Sequence, residues 1–225
     1  MLPNREAAMT PDRARLYLIT PPVAEARAIA APLEAALDAG DIACVLLRLR
    51  ARDDGEAKKI IRACNDIAQP RGAALLVEAD AGPHSPGVAT RANADGVHFA
   101  RGLSPDLPGA LKSFQPERIV GIGGLKSKDD AMNAGEAGVD YLMFGEPAAD
   151  GYVPGVAQTL ERAAWWAEIF NVPCVAYAHR LPDVAALSGA GVDFVALGEA
   201  VWSDPRGPAA AVREAQMLLQ PLPAR

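Results

Sequence analysis

The chain has 225 residues, with 22 Lys and Arg against 28 Asp and Glu, which gives a formal charge of -6. This acidic balance argues against a nucleic-acid partner and an anionic membrane, because both repel a net anion. No stretch reaches the roughly 18 apolar residues of a membrane span, and the N-terminus has no apolar targeting segment. Cys44, Cys64 and Cys174 lie far apart, without metal-ligand spacing. We therefore predict a cytoplasmic protein with reduced cysteines in its core.

Short apolar runs alternate with stretches of helical periodicity along the chain. The first run, RLYLIT, ends before Pro21 and Pro22, and a helix follows it. The predicted strands are 15–20, 44–49, 73–79, 96–100, 118–124, 141–146, 173–179 and 194–200. The predicted helices are 25–38, 56–69, 104–114, 127–138, 155–170 and 208–219. Apolar strands that alternate with helices are typical of a parallel sheet.

A short pattern recurs before the strands. AGVDY at 137–141 and AGVDF at 190–194 are near copies, and ANADGVHF is a looser one. The Gly suits a left-handed residue at a helix end, and the Asp precedes an apolar strand. Eight such units predict an α/β fold of a single domain, a (β/α)8 TIM barrel over 15–220 after an N-terminal extension, 1–14. The alternative is an open doubly wound sheet, although the first turn, TPPVAEA, lacks a GxGxxG fingerprint.

In such a barrel the active site lies at the C-terminal ends of the strands. Arg48 and Arg50 flank Leu49, so on a strand both side chains point to the same side. Two guanidinium groups there would bind a phosphate or diphosphate. The alternative is that they pair with acids such as Glu78 or Glu146 across the barrel mouth.

The segment GIGGLKS joins a strand to a helix N-terminus. Gly123 and Gly124 would expose backbone N–H groups to an anion, and Lys126 would add a positive charge. The alternative is that the two glycines only permit a tight turn and close packing.

Two histidines and three acids also lie near strand ends. His98 is flanked by apolar residues, which favours a hydrogen-bonded core residue, whereas His179 ends its strand and is better placed for a ligand. Glu78, Glu146 and Glu199 are candidates for metal ligands, for an acid and base, or for partners of the arginines.

Several runs together resemble the thiamine phosphate synthase and thiazole tautomerase family over about residues 15–215: RLYLIT, VLLRLR, NADGVHFARG, GIGGLKSKDDAMNAGEAGVDYLMFGE and AGVDFVALGEAVW. The resemblance implies a TIM barrel that joins a pyrimidine diphosphate to a thiazole phosphate and releases diphosphate. It also implies Mg²⁺ on the diphosphate and a homodimer.

The resemblance also assigns candidate site residues. The family's Q-x-R-x-K on the second strand corresponds to Leu46, Arg48 and Arg50, and its Asn-Asp pair after the third strand is replaced by VEADAG. Glu78 and Asp80 are therefore the candidate Mg²⁺ ligands.

Further candidates follow the last two strands. The family's phosphate-binding Gly-Gly corresponds to 178–180, which includes His179, and Gly198 lies near the end of the eighth strand.

Other family motifs are changed. GQED reads ARGLSPD, G-x-S-x-H reads GIGGLK, and the TPTK loop reads AADGYVPG, so no catalytic residue is assigned. The chain is expected to be a divergent thiamine phosphate synthase, or a paralogue that binds a phosphorylated or heteroaromatic ligand without synthase activity. A third hypothesis is an unrelated phosphate-handling barrel such as an isomerase, which would be favoured if His98 and Glu146 faced one pocket.

Overall fold

A computed structural model describes residues 13–79, 87–148 and 151–220. Eight parallel strands pair in chain order, and the first strand pairs with the eighth, so the sheet closes into a barrel. The strands are β1 Arg15–Ile19, β2 Ile42–Leu47, β3 Ala74–Glu78, β4 Gly96–Phe99, β5 Ile119–Ile122, β6 Tyr141–Phe144, β7 Cys174–Ala178 and β8 Phe194–Leu197. The predicted TIM barrel is confirmed, and the open sheet is not found.

Helices follow the strands around the barrel. They are α1 Ala26–Leu37, α2 Asp54–Ala68, α3 Gly87–Arg91, α4 Leu107–Phe114, α5 Lys128–Glu136, α6 Val156–Ile169, α7 Asp183–Ser188, α8 Glu199–Trp202 and α9 Pro208–Leu218. The sequence did not predict α3, α7 or α8. The eighth strand was predicted to run to residue 200, but it ends at Leu197 and the chain turns into α8.

The strands are apolar throughout because both of their faces are buried. One face packs against the helices, and the other fills the barrel. The interior cluster consists of Tyr17, Ile19, Cys44, Leu46, Leu76, Tyr141, Met143, Val175, Tyr177 and Ala196. A strand that is buried on both faces needs no polar alternation, which explains the continuous apolar runs in the sequence.

The recurring Gly and Asp have the predicted roles. Gly138 and Gly191 have φ values of +89° and +83°, in the left-handed region. The following acids, Asp140 and Asp193, accept hydrogen bonds from the backbone N–H groups of Val120 in β5 and Cys174 in β7, at 2.8 and 2.9 Å. In the looser copy the left-handed residue is Asn93, with φ +65°. Each unit thus ends a helix and ties two neighbouring strands together.

The start of α5 is capped by side chains. Ser127 caps α5, and its side chain and that of Asp130 bond reciprocally to backbone N–H groups. All three cysteines are buried thiols that form no disulfide, as predicted. Among the described residues, no helix has the length and apolar character to cross a membrane. The predicted N-terminal extension lies almost wholly outside the described residues.

Candidate functional site

A cavity of about 620 Å³ opens at the C-terminal ends of the strands. Its wall is formed by residues at the ends of several strands and in the loops that follow them, including Thr20, Arg48, Glu78, Arg101, Glu146 and Glu199. This is the end of the barrel where the sequence predicted the site.

Arg48 and Glu78 form an ion pair in this wall. The Arg48 Nε donates to Glu78 Oε2 at 2.8 Å, and the Glu78 side chain is 7% exposed. One alternative considered for the arginines, a pair with an acid at the mouth, is therefore found for Arg48. A carboxylate as buried as Glu78 requires such a partner.

The predicted pair of Arg48 and Arg50 does not line the cavity together. β2 ends at Leu47, and the Arg50 backbone N–H donates to Val23 O at 2.9 Å. Arg50 is not among the described residues that line the cavity. The second guanidinium in the wall belongs to Arg101, which follows β4 and is exposed. The cationic part of the mouth thus combines Arg48 with Arg101.

The glycine turn after β5 is occupied by protein contacts. The Gly123 N–H donates to Phe99 O at 2.8 Å. Gly124 has φ +64°, and a Cβ there would overlap Ala100 O. The backbone N–H of Lys126 donates to the Asp130 carboxylate at 3.2 Å. These contacts support the packing alternative for the two glycines, and anion binding at this turn stays a prediction.

Lys126 is exposed and lies outside the cavity wall that the described residues form. The sequence predicted it as a positive charge at the glycine turn, and it lies between that turn and α5. Its ammonium group therefore does not share the cavity with Arg48.

A chain of hydrogen bonds crosses the barrel interior below the cavity. The hydroxyls of Tyr17 and Tyr141 are 2.9 Å apart, and Tyr141 Oη lies 2.8 Å from His98 Nδ1. His98 Nε2 lies 3.3 Å from Glu146 Oε2. Burial raises the pKa of both tyrosines well above the usual value, so both remain hydroxyls.

His98 is fully buried, and its ring stacks on that of Tyr141. This confirms the core role that its apolar neighbours favoured. Glu146 lines the cavity, whereas His98 lies beneath it. The arrangement that would favour the isomerase hypothesis, with both residues facing one pocket, is therefore not found.

Glu146 occupies the space that a glycine leaves open. A Cβ at Gly123 would overlap Glu146 Oε1. This oxygen is buried and has no hydrogen-bond partner among the described residues. Gly123 is thus needed for the carboxylate to reach its position.

His179 and Gly198 lie on either side of Tyr177. His179 is half-buried, with its ring edge-on to Tyr177 at 4.7 Å between centroids. Burial lowers the pKa of His179, so the imidazole is neutral at neutral pH. Gly198 lines the cavity, and a Cβ there would lie 2.6 Å from Tyr177 Oη. Gly198 is therefore the better placed of these two predicted ligand contacts.

The described residues do not form a metal site by themselves. No three His, Cys, Asp or Glu side chains converge among them. Of the two predicted Mg²⁺ ligands, Glu78 is paired with Arg48, and Asp80 lies outside the described residues. Glu78, the predicted ligand that the structure describes, is thus neutralised by Arg48 and does not by itself form a Mg²⁺ site.

Sequence reasoning did not single out the tyrosines of the interior chain. Tyr17 and Tyr141 are 124 residues apart, and only the closed barrel brings their hydroxyls together. The alternation of side chains along a strand was a usable signal. Tyr17 and Ile19 in β1, and Cys44 and Leu46 in β2, are two residues apart and all point into the barrel.

Comparisons with known proteins agree with this architecture. The family model described as "Thiamine monophosphate synthase" matches residues 16–201. The thiamine-phosphate synthase of Rhodospirillum centenum is 39% identical over 202 residues, which cover 89% of this chain and 95% of that protein. The thiamine-phosphate synthase of Hyphomonas neptunium is 36% identical, covering 96% and 99%.

Solved structures share the fold. A thiamine phosphate pyrophosphorylase from Pyrococcus furiosus superposes with a TM-score of 0.74 at 22% identity, covering 92% of this chain and 96% of that one. A 3-hexulose-6-phosphate synthase gives 0.68 at 17% identity, covering 90% and 99%. These two likenesses concern the barrel alone, while the family match and the sequence relatives extend over most of the chain. The chain therefore belongs to the thiamine monophosphate synthase family.

Proposed function

We propose that the protein is a thiamine phosphate synthase, which joins a pyrimidine diphosphate to a thiazole phosphate. One bond forms between the two substrates, the bond to diphosphate breaks, and its electron pair leaves with the diphosphate. Family membership supports this reaction. The observation that carries it in this chain is the cavity at the strand ends, with Arg48 and Arg101 in its wall.

The two arginines would stabilise the leaving diphosphate. Negative charge develops on this group as its bond breaks, and fixed guanidinium groups lower the energy of that state. Arg48 contacts Glu78 through Nε, so its two terminal nitrogens are available to phosphate oxygens. Glu78 would position Arg48.

The other predicted phosphate contacts remain part of the proposal. Gly123, Gly124 and Lys126 form the turn after β5, while His179 and Gly198 lie near the ends of β7 and β8. Only Gly198 of this group lies in the described wall, so we expect it to contribute most.

Mg²⁺ is a proposal taken from the family. The wall contains three carboxylates, Glu78, Glu146 and Glu199, and two guanidinium groups, so it does not favour a bare diphosphate. Chelation with EDTA followed by addition of MgCl₂ tests the requirement. Unchanged product formation in EDTA would refute it.

The decisive experiment incubates the purified protein with both substrates and measures thiamine phosphate by mass spectrometry. We expect product formation that falls by about tenfold or more in Arg48→Ala and Arg101→Ala, since one lost charge-assisted hydrogen bond costs about 1.5–3 kcal/mol. Arg50→Ala is the matched control, because Arg50 lies outside the described wall. Absence of product from the folded wild-type protein would refute the proposal.

A second candidate is a paralogue that binds a phosphorylated or heteroaromatic ligand without synthase activity. One observation favours this paralogue. The backbone N–H groups of Lys126 and Ser127 already donate to Asp130, so the turn after β5 has fewer donors for a second phosphate. Calorimetry with each substrate alone, combined with the product assay, separates the two functions, since the paralogue would bind a substrate and form no product from the pair. The cytoplasmic location and the homodimer are also proposals, and size-exclusion chromatography tests the dimer.

A further inference from the structure

One oxygen of a buried carboxylate at the cavity floor has no hydrogen-bond donor within the described part of the chain. Glu146 is 9% exposed and lines the cavity. Its Oε2 lies 3.3 Å from His98 Nε2, but its Oε1 is buried without a partner among the described residues. Buried acceptors are rarely left unpaired in folded proteins, because they lose their hydration without compensation. The missing donor is therefore to be sought in a ligand.

The interior hydrogen-bond chain makes Glu146 an acceptor. Tyr141 lies 2.8 Å from His98 Nδ1, and when its hydroxyl donates there, the hydrogen of the imidazole is on Nε2. Nε2–H then donates to Glu146 Oε2. Tyr17 in turn donates to the Tyr141 oxygen, at 2.9 Å. Each donor in this chain points toward Glu146, which leaves the carboxylate to accept a further hydrogen bond.

The free oxygen can turn toward the cavity. It lies against Gly123, in the space that a Cβ would fill. The terminal torsion of a glutamate is broad. A rotation about it moves both oxygens, so a ligand N–H that donates to Oε1 must offset any weakening of the contact between Oε2 and His98. The protein surrounds Glu146 on its other sides, where His98 already holds Oε2. The cavity is the side from which a new donor can arrive.

The polar and apolar groups of the cavity wall are arranged so that they suit one orientation of a ligand. Ile19, Leu46 and Trp202 supply apolar wall, and Glu146 supplies the buried acceptor. The guanidinium of Arg48 lies at the more exposed level, where its side chain is 45% exposed. A flat ring with an N–H group at one end and an anionic group at the other matches this order.

We propose that Glu146 selects an amino-substituted nitrogen heterocycle, whose exocyclic N–H donates to the Glu146 carboxylate at the floor of the cavity. The inference rests on the proposed function, in which this ring is the pyrimidine of the diphosphate substrate. Glu146 acts here as a specificity-determining residue, and His98 is the residue that positions it. The anionic end of the ligand extends toward Arg48 and Arg101.

The test compares two rings of nearly equal shape, 4-aminopyrimidine and 4-methylpyrimidine, by NMR titration of the full-length protein. We expect the wild type to bind the amine about tenfold more tightly, which corresponds to about 1.4 kcal/mol. In Glu146→Gln the carboxamide oxygen faces His98 Nε2–H, so its NH₂ group faces the ring. The preference for the amine should then disappear, and 4-methoxypyrimidine, which only accepts, should gain affinity relative to the amine.

Glu161→Gln is the matched control, since it makes the same chemical change on an exposed position of α6, outside the described wall. It should retain the wild-type preference. If Glu146→Gln does not fold by circular dichroism, Glu146→Asp serves instead, because it withdraws the carboxylate by one methylene and should reduce the preference. Equal binding of both rings by the wild type, no binding of either, or an unchanged preference in a folded Glu146 variant would each overturn the inference.

The binding experiment needs no turnover, so it is independent of the proposed reaction. A preference for the amine without thiamine phosphate formation would refute the synthase function and retain the role of Glu146. Product formation without the preference would refute the role of Glu146 alone.

Discussion

Replacement of Gly123 by alanine should displace the Glu146 carboxylate. The added Cβ would overlap Glu146 Oε1, so one of these two buried residues must shift. Glu146 is the side chain that can move, because the Gly123 backbone is held by a hydrogen bond to Phe99 O at 2.8 Å. The expected consequence is loss of the contact between Glu146 and His98.

The cost follows from two effects. His98 is fully buried, so its Nε2–H would lose its acceptor without access to water, which costs about 1–3 kcal/mol. Overpacking of a well-packed interior adds about 1–3 kcal/mol. Together these effects predict a loss of about 2–6 kcal/mol in the free energy of unfolding. For a chain of this size each kcal/mol lowers the Tm by about 2–4 °C.

Urea unfolding followed by circular dichroism measures this loss. Gly109→Ala is the matched control: it lies inside α4, and nothing lies within 4 Å of its added Cβ. That variant should be stabilised by roughly 0.5–1 kcal/mol, because alanine is the better helix former.

A double-mutant cycle can refute the reasoning. Glu146→Ala removes the atoms that the new Cβ would overlap, so Gly123→Ala should cost much less in the Glu146→Ala background than in the wild type. An equal cost in the two backgrounds would mean that the backbone conformation of Gly123, and not Glu146, sets the requirement for glycine.

Three further predictions concern titratable groups. Burial raises the pKa of Cys64 to about 12, and the other two cysteines are also buried, so a thiol reagent should modify none of the three before unfolding and all of them in denaturant. Burial lowers the pKa of His179 below 6.5, so the unfolded chain binds a proton more readily and the stability should fall as the pH drops below that value. This fall should be smaller in His179→Gln in urea titrations at several pH values, and an equal fall would contradict the assignment. Arg206 lowers the pKa of Asp204 from 3.8 to about 2, so their pair stabilises the fold above 3.8 and its contribution disappears as the pH falls through about 2. Arg206→Ala should therefore unfold at a higher pH in an acid titration, and an unchanged acid midpoint would refute this role of the pair.

The strands were predictable because each one is buried on both faces and therefore appears as a continuous apolar run. The helices that were missed, α3, α7 and α8, have five, six and four residues. Helices this short contain less than two turns, so no periodicity distinguishes them from loops. The error at the end of β8 has the same cause, because the helical turn after Gly198 continues an apolar stretch.

The cationic part of the site was predicted only in part. Side-chain alternation predicted Arg50 beside Arg48. β2 ends at Leu47 and the chain then pairs with Val23 only at Leu49, and of the two arginines only Arg48 reaches the cavity wall. Beyond a strand end the direction of each side chain depends on the loop and on its neighbours. Arg101 enters the wall for this reason, from a loop whose path the sequence does not specify.

The sequence by itself determined the barrel and the end of it that carries the site. Alternating apolar and amphipathic segments leave few other ways to bury both faces of eight strands, and the recurring Gly and Asp specify how each helix passes into the next strand. Only the tertiary structure decided which polar side chains meet inside. Tyr17, His98, Tyr141 and Glu146 come from β1, β4, β6 and the loop after β6, and their contacts depend on barrel closure and strand register. Such contacts join residues far apart in the chain, so no local pattern encodes them. The buried Glu146 oxygen that has no partner among the described residues could therefore be identified only in the closed barrel.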